Sequence, residues 1–297
     1  MDFLYFLEGI RNPVLDVFFQ FCTYLGQEIP VLAVICVLFW CVNKTLAYQI
    51  GLSFFGSGLL LQNLKITFRI DRPWVLDPDF EPVASAVPAA TGYSFPSGHT
   101  QSATALFSTL ALYVKRKGLK IVFTVCFLLV GLSRMYLGVH TPKDVCVAIL
   151  LALAVTLILN PVMKRLTDSK IQNGVVSLIL AALSAATIFY ACFLLNQGTI
   201  EESYALDCCK AAGAGFGFAL GWFLERCYIQ FSIEGSLRFQ VGKTVVGLAV
   251  TLCLKLLFKA VLGSSIPAEI LQNALLVLWI LAAYPFLLKR YQTTRGK

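Results

Sequence analysis

The chain is short of charge. Asp, Glu, Lys and Arg make up 13% of its 297 residues, where a soluble globular domain carries about 25%. With 58% hydrophobic residues and a mean hydropathy of +0.77, this excludes a water-soluble globular enzyme. Histidine is scarcer still, at two residues. The ten cysteines have neither metal-ligand spacing nor the pattern of a disulfide framework, and read as small apolar packing residues. The start has no base before Arg11 and carries acids at Asp2 and Glu8, so it lacks the basic segment of a secretory signal and is expected to be retained. The net charge is +8, yet the 24 bases come in small groups between apolar segments, without a basic stripe or recognition motif, and nucleic acid is discarded as a partner.

What the chain has in abundance is apolar runs. A membrane-spanning helix needs about 20 of them in sequence, and the pattern predicts an all-α integral membrane protein of about nine transmembrane helices, centred on 29–42, 46–66, 99–114, 119–137, 143–162, 171–195, 204–224, 243–262 and 267–288. Before them, residues 12–26 set Val14, Leu15, Phe18, Phe19, Cys22 and Leu25 opposite Asn12, Asp16 and Gln20, the pattern of an amphipathic helix lying in the interface. With nine crossings, fifteen bases, from Lys44 to Arg295 and Lys297, fall on one side, against three acids (Asp168, Glu225, Glu234). The positive-inside rule makes that side and the C-terminus cytoplasmic. The N-terminus, the loop 67–98, the turn 138–142 and the loop 196–203 then face outside or the lumen.

The unusual polar residues gather in three segments on that outer face. In LKITFRIDRPW, Lys65, Arg69 and Arg72 recur at i, i+4 and i+7, expected on one helix face and suited to an anion, with interfacial snorkelling as the alternative. In YSFPSGHT, Ser97 is placed to cap a helix whose first amides belong to Gly98, His99 and Thr100; such a terminus binds anions, and Gly98 lets a ligand approach the backbone. In SRMYLGVHTPKD, Arg134 closes one span, Thr141 and Pro142 open the next, and Asp144 can act both as a capping-box acid and as acceptor of the proton on one nitrogen of His140. Both histidines of the chain thus fall beside Lys65, Arg72 and Arg134. Two histidines and fixed cations, without a metal-ligand set, suit phosphoryl transfer: one attacks, one protonates the leaving oxygen, and the cations neutralise phosphate oxygens.

In order, these segments resemble the signature of the type 2 phosphatidic acid phosphatase superfamily, which also holds glucose-6-phosphatases and vanadium haloperoxidases. KxxxxxxRP is Lys65 to Arg72 and Pro73; PSGH is Pro96, Ser97, Gly98 and His99; SRxxxxxHxxxD is Ser133, Arg134, His140 and Asp144. The resemblance covers roughly residues 12–163. It implies a helical-bundle phosphatase core over 1–163, with His140 as the nucleophile that forms a phosphohistidine, Asp144 orienting and compensating it, and His99 as general acid and then base. It also implies phosphate binding by Lys65, Arg72, Ser97, Gly98 and Arg134, with no metal and no cofactor. Arg69 lies outside the signature and is an auxiliary contact at most. Residues 164–297 are expected as an accessory four-span region with a cytoplasmic tail.

A phosphate site near the outer interface suits a substrate whose tail stays in lipid. The expected activity is therefore metal-independent hydrolysis of a phosphomonoester or pyrophosphate on a lipid: phosphatidic acid, phosphatidylglycerol phosphate, an isoprenyl pyrophosphate or a sphingoid phosphate. The expected partners are that lipid and the surrounding membrane lipids. RPWVLDPDF resembles glucose-6-phosphatase, which raises a sugar phosphate as the alternative. A transporter is less favoured, since no paired discontinuous segments recur in two halves. Residues 74–95 form a candidate lid. Gly213, Gly217 and Gly221 make a close-packing face, within the chain or between chains as a homo-oligomer. Lys255 and Lys259 either snorkel or line a pocket. The expected location is the plasma membrane with an extracytoplasmic site in a bacterium, or the endoplasmic reticulum with a lumenal site in a eukaryote.

Overall fold

The computed structural model describes residues 1–166 and 169–295, the last without its side chain; Asp168, Lys297 and the Arg295 side chain, which enter the charge count, lie outside the described residues. All the regular structure among the described residues is helical, with no strand: α1 (Asp2–Gly9), α2 (Pro13–Tyr24), α3 (Glu28–Val37, continued by a π-turn at Leu38–Val42), α4 (Lys44–Phe68), α5 (Pro73–Leu76), α6 (Gly98–Tyr113), α7 (Lys117–Tyr136), α8 (Pro142–Arg165), α9 (Lys170–Asn196), α10 (Glu202–Leu224), α11 (Leu237–Leu262), α12 (Ile266–Leu278) and α13 (Tyr284–Arg295).

A helix occupies each of the nine expected places, but they are not equally suited to lipid. Among the described residues α7, α8, α9, α11 and the run Ile266–Thr294 are long and apolar enough to cross a membrane, with a sixth if α2 and the segment Glu28–Val42 form one broken span. α6, with 16 residues, is about 24 Å long, short of a hydrocarbon core of about 30 Å. Nine of its sixteen residues are buried, from Thr100 to Thr109, and a helix packed among protein does not need an apolar surface.

The chain divides into two compact units, residues 1–32 with 52–160 and residues 33–51 with 161–297. Residues 33–51, expected within the core 1–163, therefore group with the second unit. The reason is local: Trp40 Nε1 donates to Ile280 O (3.0 Å), and Lys44 and Tyr48 each meet the buried Glu225 carboxylate at 2.5 Å. In the same unit the glycines of α10 lie against α12 and the turn after it. A Cβ at Gly213 or Gly217 would collide with Ile270 O or Ala274 O, and one at Gly221 would sit 2.7 Å from Leu281 Cβ. The stripe is filled within the chain, which leaves no room there for a second copy. Lys259 pairs with the buried Glu269 (2.6 Å), so it has a partner of its own in this unit.

In the first unit, Asn12 caps α2, its side chain accepting from the amides of Val14 and Leu15 (both 3.1 Å) ahead of Pro13 at the first helical position. The helix is apolar around most of its circumference rather than on one face. Val14, Val17, Phe18 and Phe21 are exposed, while Cys22 and Thr23 are buried. Its polar residues pack on protein: Asp16 accepts from Tyr136 OH (2.8 Å) and Gln20 from Ser85 Oγ (3.2 Å). The segment 74–95 is tied down rather than free to act as a lid. Tyr5 OH donates to Asp77 (2.9 Å), Arg11 reaches Tyr136 O (3.1 Å) and Glu81 O, Val83 N donates to Leu137 O (3.0 Å), and Phe80 is buried under Tyr5 and Arg11.

Candidate active site

The three polar segments meet in the first unit, though not as a helix face. α4 ends at Phe68, and Pro73, which has no N–H to give and whose ring clashes with the carbonyl four residues back, keeps a helix from running through Arg72. Arg69 turns into the left-handed region (φ 49°), donates to Ile66 O (3.1 Å) and is exposed, so it leaves the line that the i, i+4, i+7 spacing predicts. Lys65 stays in the last helical turn, 8% exposed, and donates to Tyr93 O. Arg72, extended before Pro73 as that position favours, reaches across the segment 91–93: Nε to Gly92 O (3.1 Å), Nη2 to Thr91 O (2.6 Å) and Nη1 to Val139 O (2.9 Å).

Arg72 Nη1 also lies 2.9 Å from His140 Nε2. A guanidinium can only donate, so Nε2 is the acceptor and the proton of the imidazole sits on Nδ1. His140 is 2% exposed. Burial, and then the positive charges of Arg72, Arg134, Lys65 and His99, hold its pKa well below the ordinary 6.5, so at neutral pH it is an uncharged ring with a lone pair on Nε2. Its Nδ1 lies 3.5 Å from Asp144 Oδ2, an ion-pair distance, and 3.4 Å from Ser94 Oγ, which donates to the same Oδ2 at 2.6 Å, so carboxylate and hydroxyl flank Nδ1 together. Asp144 is also the capping-box acid of α8, accepting from Thr141 N (2.8 Å), and its carbonyl takes Ser97 N (3.1 Å), which fastens the PSGH segment to the start of α8.

Ser97 occupies the N-cap position of α6, but its side chain makes no cap hydrogen bond; the hydroxyl instead accepts from Thr100 Oγ1 (2.9 Å). The first amides of α6 are thus not taken by Ser97, and a Cβ at Gly98 would meet nothing within 4 Å, so the space above that backbone is open. His99 Nε2 is buried without a hydrogen-bond partner among the described residues. Arg134 is the most telling. It is 1% exposed, Nη1 donates to Thr23 Oγ1 (2.7 Å), and Nε and Nη2 are buried without a hydrogen-bond partner among the described residues. Those two N–H groups share one edge of the guanidinium and form the fork that matches two oxygens of a phosphate or carboxylate.

Within this cluster three buried cations, Lys65, Arg72 and Arg134, stand against one carboxylate, Asp144. A surplus of buried positive charge with unfilled donors is costly unless an anion completes it. A neutral imidazole nitrogen such as Nε2 has the chemistry to attack phosphorus, and an imidazole such as His99 the chemistry to move a proton. Two participants escaped the sequence. Ser94 carries no spacing signal of its own, and Thr23 is 111 residues from Arg134.

An all-helical membrane protein with a histidine-and-cation site for a tetrahedral oxyanion defines a class, the membrane phosphatases. The chain belongs to the PAP2 superfamily: the sequence model of that superfamily matches residues 46–168, and the model described as PAP2 superfamily phosphatase, transmembrane extension, matches residues 209–296. It is an integral membrane protein and a phosphoric ester hydrolase. It is similar to phosphatidylglycerophosphatase B of Bacillus subtilis, 29% identical over 150 residues that make up 46% of this chain and 69% of that protein. It is also similar to a probable sphingosine-1-phosphate phosphatase of Dictyostelium discoideum, 28% identical over half of this chain and 38% of that one. Among solved structures, Aquifex aeolicus LpxE aligns with a TM-score of 0.45 and 27% identity, covering 53% of this chain and 92% of that one.

Proposed function

We propose that this chain hydrolyses the phosphomonoester or pyrophosphate of a membrane lipid, without a metal, through a phosphohistidine on His140. The observation that carries the reading is the set of buried, unfilled donors, Arg134 Nε and Nη2 with His99 Nε2, in one cluster with the neutral His140 ring. The phosphoryl oxygens take the Arg134 fork, Lys65, Arg72 and the open backbone at Gly98, with Ser97 holding that backbone against α8. As Arg72 Nη1 shifts from Nε2 to a phosphoryl oxygen, His140 Nε2 gives its lone pair to phosphorus while the bond to the leaving oxygen breaks, and His99 Nε2 passes a proton to that oxygen. The phosphorylated imidazole is positive, and Nδ1–H is compensated by Asp144 together with Ser94. A water then gives its proton to His99 and its oxygen to phosphorus. The phosphorus–nitrogen bond breaks, its electrons return to Nε2, and phosphate leaves.

A lipid substrate fits the surroundings and the relatives. Val14, Val17, Phe18 and Phe21 of α2 are exposed apolar residues on the helix whose last turn reaches Arg134, and the similar proteins are named as phosphatases of lipid phosphates. In this reading the chain crosses the membrane nine times, with the site on the outer or lumenal side, and residues 164–297 are an accessory helical region. The test is phosphate release by the purified full chain in EDTA from phosphatidic acid, phosphatidylglycerol phosphate, undecaprenyl pyrophosphate, sphingosine phosphate and glucose-6-phosphate, with His140→Ala as blank. Preference for a lipid is the expected result. Preference for glucose-6-phosphate would replace the lipid assignment with the sugar phosphate suggested by RPWVLDPDF.

A further inference from the structure

We infer that Thr23, on helix α2, is a positioning residue for the reaction: it takes Nη1 of Arg134 so that the Nε–Nη2 fork faces the phosphate. The inference rests on the reading of Arg134 as a phosphate ligand. Its own evidence is separate. Thr23 is 1% exposed and supplies the hydrogen-bond acceptor found for this guanidinium, at 2.7 Å. A guanidinium has five N–H donors in one rigid plane, so fixing one nitrogen fixes the direction of the opposite edge. The hydroxyl meets Nη1, the nitrogen that is not part of the side-on fork. Without it Arg134 has no partner to orient it, and the plane is free to turn about its last torsions.

The helix that carries Thr23 is itself held against the site. Gly26, just past the C-terminal end of α2, has no room for a side chain: a Cβ there would lie 2.5 Å from His99 O and 2.7 Å from Val130 Cγ1. Nearby, Leu25 packs on the cluster of Ala103, Phe127 and Val130, which joins α6 to α7. The end of α2 is therefore wedged against the backbone of one reacting histidine while its last turn holds the phosphate-binding arginine. The amphipathic helix expected only to lie on the membrane is a wall of the phosphate site, and it joins the lipid-exposed surface to the group that binds phosphate.

The test uses the full chain with the substrate it hydrolyses best, and inorganic phosphate and orthovanadate as inhibitors. Thr23→Val keeps the shape and removes the acceptor. The expected result is a fall in kcat/KM of about tenfold to a hundredfold, with weaker inhibition by phosphate and vanadate in proportion, and Thr23→Ser restores both. In an Arg134→Ala background Thr23→Val has no further effect, which a general packing defect would not reproduce. Thr23→Ala is the second variant should valine fail to fold. Wild-type kinetics and inhibition in Thr23→Val, or losses that multiply with those of Arg134→Ala, overturn the inference while leaving the role of Arg134 standing. An Arg134→Ala enzyme with full activity overturns that role itself, and the inference with it.

Discussion

Arg134→Lys keeps the positive charge at a buried position and removes the fork. In the proposed complex Nε and Nη2 each donate to a phosphoryl oxygen, and each such hydrogen bond to a charged group is worth about 1.5–3 kcal/mol. A lysine ammonium reaching the same place replaces one of the two, and it does so on a flexible stem that Thr23 no longer orients. The expected loss of transition-state stabilisation is about 2–4 kcal/mol, or about 30-fold to 1,000-fold in kcat/KM at 1.4 kcal/mol per decade. The protein itself has little reason to unfold, since Arg134 makes one hydrogen bond, to Thr23, in the free site. The assay is the initial rate of phosphate release from lipid presented in mixed micelles over a range of mole fractions, with thermal melting of the same samples. An Arg134→Lys enzyme that melts like the wild type and keeps kcat/KM within about threefold would refute the fork as the phosphate contact, since that corresponds to less than about 1 kcal/mol.

Three further outcomes follow from the same geometry. Because burial and the neighbouring cations depress the pKa of His140, the acid limb of kcat/KM is expected below pH 6.5; Lys65→Met removes one of those charges, makes protonation of the ring easier and moves the limb upward. A wild-type limb at or above 6.5 contradicts this. Ser94→Ala removes the hydroxyl that flanks Nδ1 with Asp144 and is expected to lower kcat about tenfold with KM little changed, the loss of roughly one hydrogen bond to a charged group; an unchanged kcat would leave Ser94 without a part in the chemistry. Gly217→Leu drives a side chain into Ala274 O and is expected to cost about 1–3 kcal/mol or more of stability, read as a lowered melting temperature, whereas an unchanged melt would contradict packing of α10 on α12 at that glycine.

Local physics was the legible part. Helices occupy the expected places because apolar run length and the cap at Thr141 are sequence-local signals. The fold of Lys65, Arg72, Ser97, His99, Arg134, His140 and Asp144 into one cluster was legible from the ordered motifs. The failures also have physical causes. Lys65, Arg69 and Arg72 were expected on one helix face, but Pro73 disfavours helix at Arg72, and the left-handed turn at Arg69 that follows α4 carries no spacing signal. Asp144 was expected beside His140 because the spacing is i, i+4, and the two do pair at 3.5 Å, but Ser94, which shares both Nδ1 and the carboxylate, carries no spacing signal. Thr23 and the carbonyls of residues 91–93 act through contacts that no spacing encodes. The tethering of residues 74–95 likewise depends on Tyr5 and Arg11, some 70 residues away in sequence.

The most direct test of the central claim is a search for the phosphorylated enzyme. Wild type, His99→Ala and His140→Ala are mixed with substrate in EDTA, quenched rapidly in alkali, where phosphohistidine survives, and mapped by peptide mass. The account predicts one phosphoryl group on the peptide that contains His140 in the wild type, formed and released more slowly in His99→Ala, where neither the leaving oxygen is protonated nor the water activated, and absent from His140→Ala. Phosphate on another residue, or undiminished turnover by folded His140→Ala protein, would contradict it.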